Sequence, residues 1–207
     1  MRNLNWATDV NSQQLAAFHE MLNTWTLSHK NRNEAHYVLH IATILSDRYG
    51  SRHDLDVLEI GPLTTTFIAR ALPKARYIGL DCCEALTTLQ LRFLAVEGIL
   101  NALPVMGDVY ELPIATSSQD VVYAGSITPL CERNPDATRE SLGAVFQEIS
   151  RVLKQNGEFV MYPGPDLEHP NGDVADEFFR VVHSLRIPSG IDGVSPQSFM
   201  IYTKRRP

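Results

Sequence analysis

The stretch Asp56-Val-Leu-Glu-Ile-Gly-Pro-Leu-Thr-Thr-Thr66, with Tyr77-Ile-Gly-Leu-Asp81 after it, limits this chain more than any other. A short apolar run (Val57, Leu58, Ile60) stops at a glycine. An amphipathic helix follows, and a second apolar run stops at a carboxylate twenty residues beyond Gly61. This is the outline of a βαβ unit that binds a nucleotide. It has a strand, a turn tight enough for backbone to approach a ligand, and an acidic group for ribose hydroxyls.

The rest of the chain continues that alternation. Strands are predicted near 55–60, 76–80, 103–106, 119–124 and 158–162, and helices near 65–72, 84–97, 138–154 and 173–186. Pro73, Gly98, Pro104 and Asn156-Gly157 fall at the joints, where turn chemistry belongs. Short apolar strands separated by helices call for a mostly parallel sheet covered on both faces. Right-handed crossovers then line up the C-terminal strand ends along one rim, where ligands bind in open α/β sheets.

Both ends depart from the pattern. After an N-cap at Asn11 or Ser12, the residues Leu15, Phe18, Leu22 and Trp25 repeat at helical spacing. A second helix runs from about Asn33-Glu34 to Tyr49-Gly50, with Val38, Ile41, Ala42 and Leu45 on one face. These two helices form a lid or a packing layer for the sheet. At the other end, Phe199–Thr203 reads as an antiparallel edge strand, since no helix follows it. The turn-rich piece between Arg186 and Ser198 leaves room for only a rudimentary strand. The expected fold class is α/β. It is a three-layer sandwich with a mostly parallel, doubly wound (Rossmann-like) sheet, a C-terminal antiparallel strand and an N-terminal helical lid. A length of 207 residues suits one domain, with 1–50 as the lid and 51–207 as the core.

Composition excludes several function classes. Hydrophobic residues at 44% and charged residues at 20% describe a globular protein and not a disordered one. The net charge of −6 sets up a field that repels phosphate backbones, so nucleic acid is a poor partner. Lys204-Arg205-Arg206 reads as a solvated basic end. Cys82, Cys83 and Cys131 cannot build a disulfide framework and lack zinc-finger spacing, and no metal is expected. Neither an apolar signal core nor a bilayer-length apolar run is present, which makes a soluble cytoplasmic protein the expectation.

Four segments carry a family resemblance. They are Val57-Leu-Glu-Ile-Gly61; Tyr77-Ile-Gly-Leu-Asp81; Gly107-Asp-Val-Tyr-Glu-Leu-Pro113 leading to Asp120-Val-Val-Tyr123; and Glu148-Ile-Ser-Arg-Val-Leu-Lys-Gln-Asn-Gly-Glu-Phe159. In this order and spacing they resemble the class I S-adenosylmethionine-dependent methyltransferases, closest to the small-molecule type 11 group. The resemblance implies S-adenosyl-L-methionine as cofactor and a role in small-molecule biosynthesis. It implies that Glu59 and Gly61 lie beside the methionine part and that Asp81 accepts bonds from the ribose hydroxyls. Asp108 would face the adenine amino group with Val109 packing on the ring. Ala124, Gly125 and Ser126 would pass the sulfonium side of the pocket. On the residues alone, Asp81 and Asp108 could equally cap the helices after them, and Glu59 could simply end a strand.

The glycine loop departs from the family pattern Gly-x-Gly-x-Gly, because Leu63 and Thr65 occupy its last two glycine positions. Bare backbone at those places lets main chain reach a ligand, and Pro62 stiffens the loop further. Hydroxyls of Thr64, Thr65 and Thr66 are the compensating donors at the helix start. No catalytic base stands out. His169 is the candidate, in Pro163-Gly-Pro-Asp-Leu-Glu-His-Pro170, against the reading of an ordinary loop histidine. His36 and His40 stand one helical turn apart without a third ligand. Cys82 and Cys83 read as small packing residues near the adenosine, and Trp25 and Tyr37 as core. Two functions follow: a methyltransferase acting on a small metabolite, or a methyltransferase-like protein without methyl transfer. The second would be a partner subunit or would use the pocket for another reaction such as cyclisation. A homodimer fits either.

Overall fold

The computed structural model describes residues 40–62, 67–125, 138–162, 170–187 and 197–205. Residues 40–49 form helix α1. Next come β1 (Asp56–Ile60), α2 (Phe67–Ala71), β2 (Arg76–Asp81), α3 (Glu84–Val96), β3 (Ala102–Met106) and β4 (Gln119–Gly125). They are followed by α4 (Thr138–Val152), β5 (Leu153–Tyr162), α5 (Pro170–Phe178), β6 (Phe179–Ile187) and β7 (Gln197–Lys204). The strands make one seven-stranded sheet in the order β3-β2-β1-β4-β5-β7-β6. Strands β1 to β5 pair in parallel, and β7 runs antiparallel to both of its neighbours. The winding direction reverses between β1 and β4. Connections leave these two adjacent strands toward opposite sides, which opens a crevice beyond their C-terminal ends.

Strand alternation divides the interior into two layers. Val57, Tyr77, Val121, Tyr123, Val160 and Ile201 face α1 and α2, where they pack on Ile41, Leu45, Ile68 and Leu72. Leu58, Ile60, Val122, Phe159 and Met200 face the other way, onto Val145, Phe146, Ile149 and Val174 of α4 and α5. Phe146, Phe159, Phe179 and Tyr202 form one aromatic cluster, with ring centroids 5.2–6.2 Å apart. This cluster fixes α4 on the sheet with the geometry that aromatic pairs prefer. The described part of the second predicted helix is thus a packing layer, and residues 1–39 lie outside the described residues.

The C-terminal third corrects the sequence reading in three places. The helix predicted over 173–186 ends at Phe178, and residues 179–187 form strand β6. Strand β7 is not the edge: it lies between β5 and β6. The reason is burial. Phe199, Met200, Ile201 and Tyr202 are apolar on both faces and all buried, which only an interior strand allows. Most β6 side chains between its buried end residues are exposed, as suits the strand that takes the edge. Third, β5 begins at Leu153 instead of 158, with a register shift against β4 that leaves 154–157 as an irregularity. Gly157 is required there, since a Cβ would stand 3.0 Å from the Gln119 carbonyl oxygen.

Candidate functional site

The crevice between β1 and β4 begins at Gly61. Its φ of +68° lies in the left-handed region, which a side chain disfavours. Its N–H donates to the Leu80 carbonyl (2.9 Å), so the chain leaves β1 by turning across the end of β2. Among the described residues, an added Cβ would meet nothing nearer than the Gly125 carbonyl oxygen at 3.9 Å. Conformation and not crowding demands glycine here. The same distance shows that Gly61 and Gly125 face each other across the strand ends.

One residue inside the rim, Glu59 is 2% exposed. Tyr123 pairs with it on β4, and the Tyr77 hydroxyl donates to its Oε2. Burial pushes the Glu59 carboxyl up to about 8, against the opposing pull of the Tyr77 hydrogen bond. At neutral pH this group is therefore a carboxylic acid. Burial and the neighbouring carboxyl raise the Tyr77 and Tyr123 phenols as well. Gln90 of α3, wholly buried, comes in beside Gly79 and Tyr77, and both of its amide atoms lack a partner among the described residues. Sequence reading missed Tyr77, Tyr123 and Gln90. The signal was available for the tyrosines, because strand parity puts both on the Glu59 face.

Asp81 ends β2 beside Gly61 and is 7% exposed. Its Oδ1 accepts from the Cys83 N–H (2.9 Å), which orders the entry to α3. No described residue bonds to its Oδ2. Asp108 repeats the arrangement beyond β3: its Oδ1 accepts from the Tyr110 N–H (2.9 Å), and its side chain is exposed. Neither aspartate caps a helix in the way weighed from sequence, since α3 has Cys83 as its N-cap and β4 is the next element after Asp108. Each uses one oxygen on its own loop and leaves the other. Val109 is buried in the layer facing α4 and α5. Cys82 and Cys83 are exposed free thiols. The structure therefore brings Glu59, Gly61, Asp81 and Gly125 to one stretch of rim, with Asp108 on the neighbouring loop. Ser126, His169, His36, Cys131, Trp25, Tyr37 and the loop segment Leu63–Thr66 lie outside the described residues. Among the described residues, no group of three His, Cys, Asp or Glu side chains could hold a metal ion, and no helix is long and apolar enough to cross a membrane.

Glu148 and Arg151, part of the fourth quoted segment, also act on this rim. Arg151 binds Glu148 through Nε and Nη2 (both 2.7 Å), and the pair reaches across to Leu112 and Ile114. The Arg151 hydrogen bonds hold the Glu148 carboxyl below the usual range.

An open sheet of this order, with a reversal-point crevice and carboxyls at its first strand ends, defines the class I methyltransferase fold. The chain belongs to the methyltransferase domain family, which matches residues 58–161, about half its length. Membership makes it a methyltransferase with S-adenosylmethionine as the cofactor. Solved structures share the fold. A Pyrococcus horikoshii protein superposes with a TM-score of 0.65 at 17% identity, over 86% of this chain and 93% of its own. The N-methyltransferase NodS from Bradyrhizobium japonicum gives 0.66 at 13%, over 85% and 98%. The 4+2 cyclase SpnF gives 0.58 at 14%, over 71% and 58%. No curated protein matches the chain in sequence.

Proposed function

We propose that this protein transfers a methyl group to a small-molecule acceptor, with the cofactor held in the crevice between β1 and β4. The observation that carries this reading is the Gly61–Asp81 corner. A left-handed glycine bares the main chain at the strand end, and beside it stands a nearly buried carboxylate with one oxygen uncommitted. These residues fit the group. Asp81 Oδ2 accepts ribose hydroxyls while Oδ1 stays on Cys83, so the carboxylate is already oriented before the ligand arrives. Glu59, kept neutral by burial, offers a proton to the methionine end while accepting from Tyr77. The exposed Asp108 side chain would take the adenine amino group. Bound there, S-adenosylmethionine supplies the electrophilic methyl, and the chain's part is orientation and exclusion of water. The small-molecule acceptor, the single domain and a cytoplasmic setting belong to the same reading, with the family's type 11 character and net charge as support.

Calorimetric titration with S-adenosylmethionine tests it. Binding is expected, and Asp81→Ala should weaken it by at least 100-fold, the loss of two charge-assisted hydrogen bonds. An unchanged affinity in Asp81→Ala would remove the reading. The similar fold of a cyclase supports one other possibility, cofactor binding without methyl transfer. A screen of metabolites that yields product without S-adenosylhomocysteine would favour it.

A further inference from the structure

We infer that Glu148 and Arg151 are positioning residues for the cofactor, and that they act by clamping the loop that carries Asp108. The inference rests on the proposed cofactor reading and extends it to residues outside the pocket. After β3 the chain runs through residues 107–116 with a single antiparallel bridge, Asp108 to Glu111, to hold its shape. At its start the Gly107 N–H donates to the Asp81 carbonyl (3.0 Å). Beyond that bond, the burial of Val109 and Leu112 and the clamp supply the fixing. Leu112 donates its N–H to Glu148 Oε2 (2.8 Å) and accepts from Arg151 Nη2 (2.9 Å), so both backbone groups of one residue are held by the pair. Arg151 Nη1 holds the Ile114 carbonyl (2.9 Å) and Thr116 Oγ1 (3.2 Å).

The clamp reaches Asp108 through Glu111, the neighbour of the clamped Leu112; the Glu111 N–H donates to the Asp108 carbonyl (3.2 Å). The loop folds back so closely that a Cβ on Gly107 would stand 2.8 Å from Pro113 Cδ. Displacing Leu112 pulls on Glu111 and so on the aspartate bridged to it. The anchor itself does not give, because the flanking residues Ile149 and Val152 are fully buried. Neither residue contacts the ligand in this scheme, since their polar atoms are engaged within the protein. The planar fork of arginine makes the arrangement, and a lysine cannot reproduce it.

The test is a double-mutant cycle read by cofactor affinity. Arg151→Lys and Glu148→Gln are expected to raise the Kd for S-adenosylmethionine roughly tenfold, and to raise that for 5′-methylthioadenosine by the same factor, because the fault lies at the adenine end. On an Asp108→Ala background, Arg151→Lys should have almost no further effect. Additive losses, or a Kd unchanged in folded variants whose Tm has dropped, would reduce the clamp to a purely structural feature and overturn the inference. An Asp108→Ala variant that binds normally would do the same. If Arg151→Lys does not fold, Glu148→Gln carries the cycle. A wild-type protein that fails to bind at millimolar cofactor would overturn the functional reading and this inference together, whereas binding without coupling sinks the inference alone.

Discussion

The two ends of the parallel sheet use carboxylates in opposite ways. At the N-terminal end the strand acids Asp56, Asp120 and Glu158 are paired. Asp56 takes Arg76 (2.7 Å) and Lys154 (3.0 Å), Asp120 takes Lys154 (2.7 Å), and Glu158 takes Arg48 and the Tyr49 hydroxyl. Burial would raise the Glu158 carboxyl, yet the Arg48 and Tyr49 hydrogen bonds outweigh it and hold the group low. At the C-terminal end, Glu59, Asp81 and Asp108 face no cation among the described residues. Each instead takes one neutral donor: a phenol or a backbone N–H. Isolated carboxyls near or inside a sheet cost stability, and the C-terminal end carries three of them. One end ties strands together, and the other keeps hydrogen-bonding capacity for something outside the chain.

The sharpest way to break this contrast is Glu59→Gln. Because the folded-state carboxyl is raised to about 8, the native protein binds more protons than the unfolded chain between the ordinary carboxylate range and pH 8. Wild-type stability must then fall as pH rises through that window. The amide has no charge to desolvate, so the variant should gain on wild type by roughly 4 kcal/mol at pH 8 and converge with it near pH 4. Denaturant melts across that range measure it, and parallel curves would show that Glu59 is charged and paired after all.

A smaller effect sharpens the rim side. Gly61→Ala should lose about 1 kcal/mol, the cost of a side chain in the left-handed region, since no described residue crowds the methyl group. Gly61→Asn should lose less, because asparagine tolerates that conformation. Equal losses would point to crowding and not backbone strain. Smallest of all, Lys154→Met removes both ion pairs of a half-exposed lysine and should cost about 0.5–1 kcal/mol. The difference should shrink in 1 M salt and fade as acid protonates Asp56, whose carboxyl is held low by Arg76 and Lys154. A gap that persists under both conditions would mean packing, and not charge, holds that end together.

Much of this was legible in the chain. The first five strands sit within a few residues of their predicted positions, except at the start of β5, because apolar runs bounded by Gly61, Pro73 and Gly98 leave little freedom. The rim of C-terminal strand ends could be placed before any coordinates, and so could the aspartates on it. What failed was local reading of sites decided by distant neighbours. Phe178-Phe-Arg-Val-Val-His-Ser-Leu-Arg-Ile187 suits a helix until β7 offers a partner for its backbone. From sequence Glu59 reads as a cofactor contact or a strand end, and only the packing of α3 over Gly79 brings Gln90 in beside its partner Tyr77. Glu148 and Arg151 were recognised as pattern without purpose. Their spacing along α4 places them on one side of the helix, but the loop they hold is 36 residues away in sequence from Glu148.

The interior position of β7 has a consequence for synthesis. Its residues follow every other strand in the chain, yet it is the plank between β5 and β6. While the polypeptide is still emerging from the ribosome, β5 has a raw flank and β6 has nothing to join. Some apolar surface of both must then wait uncovered until Lys204 is free, the period in which a nascent chain is most exposed to chaperones and to mispairing.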